Sequence, residues 1–219
     1  MPTPRAGYFL ADGTKVPSVT TILSRFKESG ALITWAYKRG KDGLDLYESR
    51  DRAADIGTLA HAMVEYRLTG KSVEDALLRA LPEHRDKARI AYAAFEEWMR
   101  QSNVGPISAE VSMVSEQHKF GGTPDLVLRM PNGKLALGDV KTSNAVYRDY
   151  LVQVAAYGLL WNENHPDDPI TEGYHIMRFS KEAPDFEHRY FAELVEAAEL
   201  FLVLRTAYGM DLQLKKRAA

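Results

Sequence analysis

Cysteine is absent from the 219-residue sequence. That absence excludes disulfides, thiolate zinc sites, iron–sulfur clusters and thiol nucleophiles, and it suits a reducing compartment. Long apolar runs are missing too. Nothing approaches the roughly 18 consecutive apolar residues of a membrane span, and the opening MPTPRAGYFLADG has no apolar segment of secretory length. No membrane partner is expected, and a cytoplasmic setting is. Nor is there an excess of charge. Lys plus Arg number 28 against 30 Asp plus Glu, a net of -2. Binding of a polyanion through a basic tail is not expected, whereas a local basic groove stays open. Repeats and low-complexity stretches are also lacking.

What remains is a composition of ordinary globular kind, 45% hydrophobic and 26% charged. One domain with an elaboration is expected: residues 1–52 as a helical and loop-rich N-terminal part, and 53–219 as the core. The first 50 residues hold eight Lys/Arg and five Asp/Glu, so the N-terminal part is the mildly basic one.

Periodicity then divides the chain. Ile56, Leu59, Ala60 and Met63 form an apolar stripe at helical spacing, which predicts a helix over 53–68. Further helices are expected over 73–81 and 85–101, the second presenting Ile90, Ala94 and Trp98 on one face. Beyond Asn103-Val-Gly-Pro106 the texture becomes Val- and Leu-rich. Three strands are expected at 109–115, 120–130 and 135–142, with Pro131-Asn132-Gly133 as the turn between the last two. A helix over 149–161, a strand over 172–179 and a closing helix over 189–208 complete an α/β reading with a mixed sheet.

The chemistry gathers on the predicted hairpin. Its strands carry Gly121-Gly122-Thr123-Pro124-Asp125 and Asp139-Val140-Lys141-Thr142. Asp125 and Asp139 stand symmetrically about Asn132. Pairing through that turn makes the carboxylates face each other, give or take one residue, at roughly 5 Å. Two carboxylates so close call for a raised pKa on one or a bound cation. Asp139 and Lys141 share a strand face, while Val140 points to the other; its carbonyl can still reach an ion held by its neighbour. Oxygen ligands suit Mg²⁺ or Mn²⁺, and a cation beside an ammonium suits phosphoryl transfer. Solvated strand charges are the plainer alternative. Against it, Asp139 lies inside the apolar run Leu135-Ala-Leu-Gly-Asp-Val, where a charge needs a partner.

These residues resemble a family. Pro124-Asp125 followed by Asp139-Val140-Lys141 is similar to the signature of the PD-(D/E)XK nucleases. Gly57-Thr58-Leu59-Ala60-His61 resembles the GTxxH motif of their RecB-like branch, and Gln153-Val-Ala-Ala-Tyr157 its QxxxY motif. Ser18-Val-Thr-Thr-Ile-Leu23 resembles a segment of the phage-type and mitochondrial-genome-maintenance-type exonucleases. The resemblance implies the restriction-endonuclease-like core, αβββαβ, with a mixed β-sheet flanked by helices. It implies Asp125, Asp139 and Lys141 as catalytic residues. His61, Asp125, Asp139 and the Val140 carbonyl become metal ligands, and Glu110 stands at a frequent acidic position. Gln153 and Tyr157, which share a helix face at i and i+4, support the site and touch the DNA backbone. Thr58, Gly122 and Thr142 fall within the matched motifs and share that supporting role. Many relatives carry an iron–sulfur cluster, which a chain without cysteine cannot.

The implied activity is metal-dependent exonucleolytic hydrolysis at single-stranded or duplex DNA ends. The implied setting is recombination, repair or replication in a bacterium or phage-infected host, where a recombination or single-strand-binding protein is a fitting partner. An endonuclease of the same fold and a non-catalytic DNA-binding module are the competing readings. Trp35, beside Tyr37 and Lys38 in the basic region, can stack bases, although a core Trp on a helix over 32–39 fits the same pattern.

Overall fold

The computed structural model describes residues 7–27, 34, 37–38, 40–43, 59–60, 62–67, 70–78, 82–109, 111–179 and 186–218. The expected positions Trp35, Gly57, Thr58, His61 and Glu110, together with Ile56, lie outside these residues. In chain order the first elements are β1 (Tyr8–Phe9), β2 (Lys15–Val16), α1 (Val19–Arg25), α2 (Val73–Leu78) and α3 (Pro82–Ser102). Then come β3 (Gly105–Ala109), β4 (Met113–Ser115), β5 (Phe120–Gly122), β6 (Leu126–Arg129) and β7 (Leu135–Thr142). The chain continues through α4 (Arg148–Asn164), β8 (Ile170–Phe179), β9 (Phe186–Phe191) and α5 (Val195–Ala218).

The mixed α/β organisation is as the sequence implies. The main sheet has the strand order β3-β6-β7-β8-β9, antiparallel throughout except for the parallel β7–β8 pair. Parallel neighbours need a long crossover, and α4 supplies it. Helices cover both faces. Leu135, Leu137 and Ile176 pack toward α1, α4 and α5 through Ile22, Val152, Leu160 and Phe201. Leu128, Ala136, Val140 and Met177 pack toward α3 through Phe95 and Trp98. Alternation along β7 produces this division, because successive strand side chains point to opposite faces. Eight residues of α4 are buried, including Val152, Val154, Ala156 and Leu160, so this helix is enclosed on several sides rather than along one stripe.

The β6–β7 turn sets the register on which the site depends. Gly133 adopts a φ of +84°, where a side chain would be strained. Its N–H donates to the Met130 carbonyl at 2.8 Å, and the Lys134 N–H donates to Asn132 Oδ1 at 3.1 Å. Arg129 then pairs with Leu135 and Leu126 with Gly138.

Several expectations need correction. The strand expected over 109–115 is two strands: β3 ends at Ala109 in the main sheet, and β4 begins at Met113 in a small sheet with β5. The strand expected over 120–130 also divides. Pro124 has no N–H to give a ladder, and the chain crosses between sheets at residues 123–125. The closing helix does not begin at 189. Residues Phe186–Phe191 form the edge strand β9, and α5 starts at Val195. On α3 the inner stripe is Ala88, Ala91, Phe95 and Trp98, whereas Ile90 is 43% exposed. That stripe also meets a histidine pair. Trp98 lies 4.9 Å from the His188 ring, and His175 Nδ1 is 2.8 Å from His188 Nε2.

Candidate active site

Asp125 immediately precedes β6. Continuing the ladder one position past Leu126 and Gly138 sets Asp125 opposite Asp139, as the turn symmetry requires. Asp139 is fully enclosed and Asp125 is 6% exposed. Asp125 Oδ2 accepts a hydrogen bond from the Val140 N–H at 2.8 Å. The N–H and C=O of one extended residue point to the same side of a strand, so the Val140 carbonyl opens toward the Asp125 side as well. Lys141 Nζ lies 2.7 Å from Asp139 Oδ2 and 2.9 Å from Oδ1. Val140 itself is buried against the α3 side of the sheet.

Burial works against the charge on Lys141, but the carboxylates of Asp139 and then Asp125 outweigh it and raise the ammonium above the ordinary lysine range. Lys141 stays protonated at neutral pH. The donors that converge are all oxygens, which fits a hard divalent cation. Among the described residues no three His, Asp or Glu side chains form a ligand cluster. His61 and Glu110, the further ligands expected from the sequence, lie outside the described residues.

The floor of the site comes from α4. Gln153 Nε2 donates to the Tyr157 hydroxyl at 3.1 Å, as the i, i+4 spacing allows. Tyr157 is buried, and burial, followed by the negative charge of Asp125 and Asp139, pushes its phenol well above the ordinary range. It remains a neutral hydroxyl. Gly122 explains how this ring fits. A Cβ on Gly122 would lie 2.7 Å from Tyr157 Cε1 and 2.8 Å from Leu160 Cδ1, so only glycine lets β5 approach α4 this closely. Thr142 closes β7 half-buried, and its enclosed Oγ1 has no hydrogen-bond partner among the described residues.

Three features had no counterpart in the sequence reading. The Tyr150 ring lies under Lys141, with Nζ 5.3 Å from its centroid. A hydroxyl chain runs beside the carboxylates: Tyr8 Oη is 2.8 Å from Thr123 Oγ1, which is 3.0 Å from Ser112 Oγ. Buried Arg178 donates to Glu187 Oε2 at 2.8 Å and to the Ser143 carbonyl at 3.0 Å, tying the segment after Thr142 to β9. No periodic pattern marks these residues, because each contact joins separate elements of the fold. Ser18, from the segment resembling the exonucleases, caps α1 by accepting from the Thr21 N–H at 3.0 Å, and it bridges to Gly121.

A mixed sheet sandwiched by helices, with paired carboxylates and a lysine where its hairpin strands end, defines a nuclease-type α/β protein. Residues 34–208 match the profile of the PD-(D/E)XK nuclease superfamily, and the chain belongs to that superfamily. No curated protein matches the chain. Among solved structures it is similar to a Eubacterium rectale protein provisionally named an exonuclease, with 15% identity and a TM-score of 0.48 over 69% of this chain and 68% of that one. It is also similar to SSO0001, with 16% identity and a TM-score of 0.33 over 69% and 74% of the two chains. The superfamily assignment rests on the profile. Divalent metal ions are in general use across the superfamily, and the fold implies DNA as substrate. No helix among the described residues is long and apolar enough to cross a membrane.

Proposed function

We propose that this protein is a metal-dependent exodeoxyribonuclease of the RecB-like branch, acting at DNA ends in recombination, repair or replication. One observation carries the reading: Asp125, Asp139 and Lys141 meet at the end of the β6–β7 hairpin, with the Val140 backbone drawn into the same corner. Asp125, Asp139 and the Val140 carbonyl would hold Mg²⁺ or Mn²⁺, joined by His61 and, for a second ion or its water, Glu110. When bound, the cation supplies Lewis-acid polarisation of the phosphate and lowers the pKa of water.

The chain's own residues do the rest. Lys141 orients the attacking water and offsets the negative charge that builds on the scissile phosphate. Asp139 holds the Lys141 ammonium in place, and Tyr150 limits its swing. Water adds to phosphorus as the ester P–O bond breaks, leaving a phosphate and a hydroxyl end. Gln153 and Tyr157 support the site and face the DNA backbone. Thr58, Gly122 and Thr142 belong to the same supporting set, and Trp35 stacks on a base. Within the proposal, residues 53–219 are the nuclease core and 1–52 guide the strand. A cytoplasmic, phage or bacterial setting and a recombination or single-strand-binding partner complete it.

The test uses end-labelled linear single-stranded and duplex DNA beside a closed circle, each with EDTA, Mg²⁺ or Mn²⁺. Metal-dependent loss of linear DNA alone, absent in Lys141→Ala, is the expected result. Cleavage of the circle would make the protein an endonuclease. A salt-sensitive mobility shift without cleavage would make it a binding module.

A further inference from the structure

The core-facing side of α5 is occupied by Phe201, with Leu204 and Tyr208 packed beside it. A second apolar stripe runs along the same helix on another face. Leu200, Val203, Ala207, Met210 and Leu214 recur at alternating spacings of three and four, the pattern of a coiled-coil seam. Among the described residues nothing covers this seam: Val203 is 64% exposed, Met210 59% and Leu214 64%. A surface helix that needs only its own core carries one apolar face, so the second face calls for a partner.

Charge selects the partner. Exposed Glu196 and Glu199 lie in the first turns of α5, and exposed Lys216 and Arg217 in its last turn. An antiparallel second copy sets each acidic end against the other's basic end and opposes the two helix dipoles favourably. A parallel copy would set acid against acid and base against base. Ala207, at the middle of the seam, lets the two backbones approach. We infer that the protein self-associates as a two-fold dimer through antiparallel pairing of the α5 seams.

The test is the oligomeric state of the full chain. In sedimentation equilibrium the wild type should show twice the 24.6 kDa chain mass, and Val203→Glu/Met210→Glu should fall to one chain with an unchanged circular-dichroism spectrum. A wild type that stays at one chain mass up to its solubility limit overturns the inference. Orientation is read with a short bis-maleimide, since the chain has no cysteine of its own. Leu200→Cys mixed with Leu214→Cys should cross-link. Leu200→Cys alone should not, because its two copies would stand roughly 21 Å apart at 1.5 Å per residue. Efficient self-cross-linking of Leu200→Cys would overturn the antiparallel arrangement.

Discussion

Replacing Lys141 with methionine keeps a long stem and removes the ammonium between two enclosed carboxylates. Asp139 is fully enclosed, and the Lys141 side chain is only 14% exposed. Breaking a buried ion pair from one side costs about 3–5 kcal/mol, because the remaining charge loses its compensation. The slight exposure of Lys141 puts this case near the lower end, about 3 kcal/mol. For a chain of this size each kcal/mol moves the melting temperature by roughly 2–4 °C, so a fall of roughly 6–12 °C is expected in EDTA. The deficit should be specific to the missing positive charge. A divalent cation at about 100 times its dissociation constant stabilises the native state by about 2.7 kcal/mol, and the variant, with more excess negative charge, should bind it more tightly than the wild type. Thermal and urea unfolding followed by circular dichroism, with EDTA or with saturating Mg²⁺, measure both. An EDTA midpoint equal to wild type, or a smaller gain from Mg²⁺ than the wild type shows, would refute the reasoning. Cleavage should be lost in either condition.

Other substitutions probe neighbouring parts. Asp125→Asn keeps an acceptor for the Val140 N–H and removes a repulsive charge, so it should abolish cleavage yet bind DNA in EDTA at least as well as wild type; weaker binding in a filter assay counts against the carboxylate pair. Gly122→Ala forces a methyl group into Tyr157 and Leu160 and should cost about 1–3 kcal/mol, read as a lower urea midpoint. An unchanged midpoint would show that β5 can retreat from α4. Burial, and then His188, hold His175 down at about 4 from an ordinary 6.5. Between those values the unfolded chain takes up a proton that the native protein refuses, so stability rises with pH across this window and falls as pH drops. The shift corresponds to an effect on the order of 3 kcal/mol. His175→Gln should flatten that part of the stability–pH profile, and an unaltered slope would reassign the effect to other groups.

The parts of the fold legible in the sequence are those set by local rules. Asn132 and Gly133 announce a turn, and with the turn comes the register that sets Asp125 opposite Asp139. Gln153 and Tyr157 meet because a helix brings every fourth residue together. The expectation failed where tertiary context decides. Phe186–Phe191 is a half-exposed edge strand carrying Glu187, His188 and Arg189, so its polar sequence hides a strand that only β8 makes worthwhile. The run from Phe120 to Met130 looks continuous in hydropathy, and its break is a change of sheet at Thr123–Asp125. Ile90 has the apolarity of a core residue but not the position. Tyr8 and Ser112 meet Thr123, Tyr150 meets Lys141 and Arg178 meets Ser143 across separate elements of the fold, a kind of contact that hydropathy periodicity does not register.

The hairpin also has a consequence for the order in which the site assembles. Asp125 and Val140 are separated by 15 positions, whereas Tyr8 and Thr123 are separated by 115. Closing the longer loop costs roughly 2 kcal/mol more chain entropy than closing the shorter one. The carboxylate corner is therefore a low-contact-order structure that can form with its own turn. The hydroxyl chain waits until the N-terminal hairpin docks. A nascent or partly opened chain would hold the charged corner of the site already shaped, and would add or release the Tyr8 side of it as a separate, later event.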